Sequence, residues 1–313
     1  MKNKKETNQE VVKAKKQTRL ATLLIIIFLG MFVGISIGIY FNSNKLDPNR
    51  YNFDVKTLVD DVQPIMAEAK TKSPTELGAT KSCVLAFYTT FNYQKVEIIG
   101  KGLVVAKAPI VGNVNQTINA KTIRVGNKLF TENVSVSKYA KALNRYYVTD
   151  DNIQHYGGSF SNNIVTWKTN ADNIGADAIK TMAQYKEKYN CTMYDYMTYI
   201  VSSKTVVSQS EVEINEDGNF VFTLTLDKSK SVVNYVKTMK DTGGLSDYPD
   251  FTSDPKITLT IDKDYRILKF VSEEAYEANV GISAKSTGTL TNTFRYDEDF
   301  VIPELTDKTN IGE

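Results

Sequence analysis

The sequence predicts an α+β protein: an N-terminal transmembrane helix, then a curved antiparallel β-sheet with helices packed on one face. Three observations carry this. The run from Leu20 to Phe41 holds no charged residue. From residue 95 onward, segments with partial period-two alternation are separated by turn residues, the texture of an antiparallel meander. Stretches with three- and four-residue apolar spacing interrupt that meander, so the helices are set to one side of the sheet.

The membrane element comes first. A bilayer core of ~30 Å needs ~20 apolar residues at 1.5 Å each, and residues 20–41 meet that length. A charge at the centre would cost several kcal/mol. Residues 1–19 carry seven Lys or Arg against two acids, which reads as a basic cytoplasmic tail and sends the rest of the chain outside. A cleaved signal peptide is the competing reading, but its apolar core is shorter, about 7–15 residues. Ile39-Tyr40-Phe41 is also a poor cleavage site. Gly30, Gly34 and Gly38 recur every four residues and would line one helix face, the pattern of membrane dimers. A homodimer through the anchor is one expectation; glycine that is merely common in membrane helices is the other.

Residues 42–53 read as a polar linker and residues 54–313 as one extracytoplasmic domain. Asp54 precedes Val55, Leu58, Val59, Val62, Ile65 and Met66 at helical spacing, which predicts one helix over 54–70. Ser73-Pro74 breaks it, and a second helix is expected over 75–92. Strands are expected at Lys95–Ala108, Val114–Val125, Lys128–Val136, Asn144–Thr149 and Asn163–Thr169. Helices follow at 174–189 and 229–242. Between them, Tyr199–Ile214 and Phe220–Leu226 flank Asp217-Gly218, a hairpin signal. Ile257–Ile261, Arg266–Ala275 and Ser283–Tyr296 are the last strands, with Ile302-Pro303 closing the sheet.

Composition narrows the chemistry. Apolar residues make up 42% and charged residues 24% of 313, and net charge is +2, so a folded chain without a nucleic-acid partner is expected. The single His excludes any site that needs two imidazoles, most zinc sites included. His155, beside Tyr156-Gly157-Gly158, reads as a solvated loop residue. No GxSxG turn accompanies it. Ser135-Val136-Ser137-Lys138, Ser161-Asn162-Asn163 and Lys285-Ser286-Thr287-Gly288 loosely follow the order of penicillin-recognising enzymes. That chemistry needs the Ser at the start of a buried helix, and Ser135 instead ends a strand. The acidic spots at Asp60-Asp61, Asp150-Asp151, Asp262-Lys263-Asp264 and Asp297-Glu298-Asp299 read as turns and caps. None has the spaced calcium-loop pattern. No cofactor or metal is expected. Cys83 and Cys191 both fall outside the cytoplasm on this topology, so a disulfide and two buried thiols both stay open.

From about Val96 to Glu304 the chain resembles the bacterial lipoprotein-carrier (LolA-like) half-barrel superfamily. The residues that carry this are IIGKGLVVA (Ile98–Ala106), ITLTID (Ile257–Asp262), RILKFV (Arg266–Val271), GTLTNTFRY (Gly288–Tyr296) and the closing IPE (Ile302–Glu304). An anchor in place of a lipidated Cys and an added N-terminal helical stretch depart from that pattern. No catalytic motif transfers. The resemblance implies a half-barrel-like sheet with an apolar concave face able to hold a lipid-like molecule. The candidate lining is Phe91, Leu103, Val105, Phe130, Tyr147, Trp167, Phe222, Leu224, Leu259, Phe270 and Phe294. The expected function is therefore a membrane-anchored, non-enzymatic extracytoplasmic binding domain for a hydrophobic envelope ligand. A self-associating structural or interaction domain and a cell-envelope enzyme are the alternatives.

Overall fold

The computed structural model describes residues 48–108, 112–138, 141–161, 164–167, 179–243, 245, 247–279 and 283–304. The expected tail, the anchor with Gly30, Gly34 and Gly38, and the first residues of the helix expected at 174–189 lie outside the described residues. Among the described residues no helix is long and apolar enough to cross a membrane.

After a 3-10 turn at Pro48–Tyr51, the chain forms α1 (Val55–Leu58) and α2 (Val62–Glu68) where one helix was expected. The reason is local. Pro64 has no N–H to give and would break a continuous helix at a cost of ~3 kcal/mol, but it is harmless in a first turn. Asp54 and Asp61 cap the two pieces, accepting from Lys56 N at 3.1 Å and Gln63 N at 3.0 Å. Next come α3 (Pro74–Leu77) and α4 (Ala79–Asn92), separated by Gly78 at φ 86°, a conformation that favours glycine. Helix α4 buries Ala79, Cys83, Ala86, Phe87 and Thr90 along one stripe and lays it on the sheet.

The meander then runs through β1 (Lys95–Ala108), β2 (Gly112–Val125), β3 (Lys128–Ser137), β4 (Lys141–Val148), β5 (Ile153–Ser161) and β6 (Ile164–Trp167). Helix α5 (Met182–Tyr189) follows, then β7 (Val206–Gln209), β8 (Glu213–Ile214), β9 (Phe220–Leu226) and helix α6 (Val233–Gly243). The chain ends with β10 (Asp250–Phe251), β11 (Lys256–Ile261), β12 (Ile267–Asn279) and β13 (Ser283–Tyr296). All pair antiparallel in one sheet, ordered β6-β5-β4-β3-β2-β1-β13-β12-β11-β9-β7, with β8 added to β9 and β10 to β12. The long strands β1 and β13 join the two halves, from Val96↔Tyr296 to Lys107↔Lys285.

Four expectations are corrected. Residues 199–205 are not strand; they belong to an irregular segment, 190–205, between α5 and β7. Residues 301–304 add no strand. Strand β5 stands where a loop was expected. His155 is accordingly 2% exposed: its Nε2 lies 3.2 Å from Asn144 Oδ1 and its ring stacks on Tyr146 at 4.3 Å. Ser135 lies inside β3, buried and bonded by Gln116.

The inner face of the sheet carries two apolar clusters. The larger lies under α4 and α6 and includes Phe87, Phe222, Leu259, Phe270 and Phe294. The smaller lies under α5, where Leu129, Tyr146, Val148 and Ile153 meet Met182, Tyr185 and Tyr189. The opposite face of β3–β6 is buried too: Val134, Leu143 and Val165 cluster there, and Arg145 pairs with Glu132 at 2.6 Å, both nearly inaccessible.

Cys83 sits in the larger cluster and Cys191 in the smaller, both as free buried thiols. The bridge left open by the sequence is not formed. Burial pushes the Cys83 thiol well above its usual range and Cys191 up to about 12. Native protein at pH 8 is therefore expected to label slowly with a maleimide, and unfolded, unreduced protein at two sites. No label after unfolding would mean that a bridge exists.

Candidate functional site

A cavity of about 170 Å³ lies between the inner face of the sheet and residues 192–199. Its floor comes from β1–β3, β12 and β13 through Ile98, Gly100, Ala120, Thr122, Asn133, Phe270, Ser272, Glu274, Gly288 and Asn292. Its roof comes from Asp195, Tyr196, Met197 and Tyr199, with Tyr185 of α5 and Tyr235 and Thr238 of α6.

Strand alternation places the floor. Phe270, Ser272, Glu274 and Tyr276 share one phase of β12, and Gly288, Leu290 and Asn292 share the inward phase of β13. Gly100 makes room: a Cβ there would come within 2.7 Å of Asn292 Oδ1 and 3.1 Å of Ala120 Cβ. Gly288 differs, since a Cβ on it would meet Glu274 and Val104 at ordinary contact distances of 3.5–3.7 Å.

The roof is held by capping bonds rather than by regular structure. Thr192 N–H donates to Asp195 Oδ2 at 2.6 Å and Tyr194 Oη to the Asn127 carbonyl at 2.8 Å. Ile200 N–H reaches the Ser231 carbonyl at 2.8 Å, and Ser203 N–H reaches Asp60 Oδ2 at 2.6 Å. An irregular stretch of this length that is nonetheless buried is uncommon unless it serves a site.

Glu274 is the electrostatic centre. Tyr199 donates to its Oε2 at 2.5 Å and Tyr235 to its Oε1 at 3.1 Å. Glu274 is half-buried and lines the cavity. Desolvation outweighs the two hydroxyl bonds and raises its carboxyl to about 7. Burial likewise raises the carboxyl of Asp195. No basic side chain lines the cavity among the described residues. The Arg124 guanidinium beside the roof is already engaged by the Phe91 carbonyl at 2.6 Å, the Gly126 carbonyl at 3.1 Å and the ring of Tyr194.

Of the eleven residues expected to line a site, Phe270 does so. Phe91 packs beside it, against Phe87 and Tyr196. Phe222, Leu224, Leu259 and Phe294 are buried in the larger cluster. Leu103, 47% exposed, and Val105 fall on the outward phase of β1; Phe130 and Tyr147, directly paired, fall on the outward phase of β3 and β4. The side chain of Trp167 lies outside the described residues. Sequence reasoning missed Glu274, Tyr199 and Tyr235. The phase set by Phe270 marks Glu274 as inward, but nothing local marks the tyrosines, which are 75 and 39 residues away.

No family model matches the chain, and no curated protein does. Among solved structures, a DUF1329 family protein from Desulfovibrio piger is similar at 9% identity, covering 71% of this chain and 93% of that one, with a TM-score of 0.28. A LolA superfamily protein from Nitrosomonas europaea is similar at 7% identity, covering 68% and 93%, with a TM-score of 0.23. The likeness to lipoprotein-carrier-like folds is present and weak. At these values it says nothing of a ligand.

Proposed function

We propose that this chain is a non-enzymatic binding domain, held outside the cell membrane by residues 20–41, whose ligand enters the cavity over the inner face of the sheet. The observation that carries the proposal is the cavity itself, a partly open cleft with aromatic and aliphatic walls and a few convergent polar groups, as ligand sites have. Its size narrows the ligand. About 150 Å³ is enough for benzene, so a volume of 170 Å³ takes a small molecule or one end of an amphiphile. A whole acyl chain fits only if the roof moves, because α4, α6 and their cluster already fill the rest of the inner face.

Native mass spectrometry of the full chain, extracted from its own membrane in mild detergent, tests this. A stoichiometric small-molecule adduct that is lost on denaturation is expected. An unliganded chain across independent preparations would count against a resident ligand. The same spectra report whether the anchor associates as a dimer.

A further inference from the structure

Resting on the binding reading above, we propose that the cavity recognises an organic ammonium group, either on a small free amine or at the head of a lipid.

The first argument is the sign of the site. Glu274 and Asp195 both line the cavity, and no Lys, Arg or His does among the described residues. Glu274 forms no ion pair there; its partners are the hydroxyls of Tyr199 and Tyr235. A carboxylate taken out of water with only neutral donors is expensive. Asp195 feels Lys186 and Arg124 nearby, but Glu274 has no such partner, so a carboxylate or phosphate placed directly against Glu274 would set two anions together without a counter-charge.

The second argument is the wall. Tyr199 and Tyr235 stand beside Glu274, and Tyr185, Tyr196 and Phe270 line the rest of a volume that suits a trimethylammonium group with a short tail. Aromatic faces attract a desolvated cation, and aromatic cages are the recurring solution for quaternary ammonium. Tyr199 and Tyr235 sit edge to face at 5.4 Å, and their hydroxyl bonds to Glu274 hold both rings in place.

The third argument is an unused donor. Asn133 is 4% exposed, lines the same cavity, and its Nδ2 has no hydrogen-bond partner. Buried amides are seldom left unpaired. Asn133 on β3 and Glu274 on β12 are separated by three strands, so a polar group at the far end of an extended ligand, not an oxygen beside the ammonium, would complete it.

Burial raises the Glu274 carboxyl to about 7, so the free site is part protonated at neutral pH. Only Tyr199 from the roof and Tyr235 from α6 bond to it, with Tyr276 beside it on β12. Ammonium binding is therefore expected to weaken as pH falls from 8 to 5.5.

Isothermal titration of the full chain in neutral detergent decides the matter with four probes. These are choline, its uncharged isostere 3,3-dimethylbutan-1-ol, hexanoate, and dihexanoyl phosphatidylcholine held below its micelle concentration. Choline is expected to bind at least tenfold tighter than the isostere, and hexanoate not to bind. Glu274→Gln is expected to lose that tenfold preference while still binding the isostere. Gly288→Val, which fills the cavity beside Glu274, is expected to lose both. Tighter binding of the phosphatidylcholine than of choline would assign the group to a lipid head; the reverse would assign it to a free amine. If the isostere or hexanoate binds as well as choline and Gly288→Val abolishes it, the cavity is a binding site but ammonium recognition is wrong. If Glu274→Gln keeps the preference for choline, the carboxylate does not recognise the cation and the proposal falls.

Discussion

Glu274→Gln is expected to make the free protein more stable at pH 8 and to leave it nearly unchanged at pH 4. The folded carboxyl titrates at about 7, against an ordinary value of 4.5. Between those values the unfolded chain releases a proton that the folded chain keeps. Stability therefore falls as pH rises from about 4.5 to about 7 and is level above. Gln mimics the protonated acid and escapes the loss. At ~1.4 kcal/mol per pH unit the gain above pH 7 reaches at most about 3.5 kcal/mol, less whatever the cavity opening returns by solvation. Thermal unfolding of both proteins at pH 4, 6 and 8 measures it. A difference that does not grow with pH would mean that Glu274 is solvated in the fold. A residue that costs stability where it stands is one that a site, not a scaffold, retains.

The opposite sign is expected on the other face of the sheet. Arg145 and Glu132 pair at 2.6 Å with side-chain exposures of 1% and 7%. Glu132→Ala breaks this buried pair, and losing one partner of a buried pair costs about 3–5 kcal/mol. Replacing both residues, Glu132→Leu with Arg145→Met, is expected to recover part of that, since Phe130 and Leu143 on the same face are apolar. Chemical denaturation read as a shift in midpoint at constant slope tests it. A cost below about 1 kcal/mol for the single variant would mean that water reaches the pair.

How far the sequence carried the fold depended on whether each signal was local. The ranges of β1 and β13 were legible end to end, because long alternating runs state their own phase. Strand β5 was not, since Gly157-Gly158 reads as a turn; pairing of Gly157 with Asn144 and Gly158 with Leu143 overrides that preference. The split of α1 from α2 was legible in Pro64 and went unread. The inner lining went astray on β1, β3 and β4, because hydrophobicity alone does not say which phase faces the helices. Leu103 is apolar and exposed, while Thr122 and Asn133 are polar and inside. The site was least legible, being a meeting of a strand, an irregular segment and a helix that only the folded chain brings together.

The division of the inner face into two apolar clusters has a mechanical consequence. The ladder of β1, β2 and β13 runs unbroken from one half to the other, but the apolar packing does not; among the described residues Tyr196 packs against both clusters, and Asp241 of α6 bonds Tyr189 and Lys188 of α5. A sheet resists stretching along its hydrogen bonds far more than it resists twisting. A change of twist therefore widens or narrows the gap between the clusters with no ladder bond broken. The cavity lies at that gap, so an occupant is expected to act on the sheet as a wedge, through its twist rather than its ladder bonds.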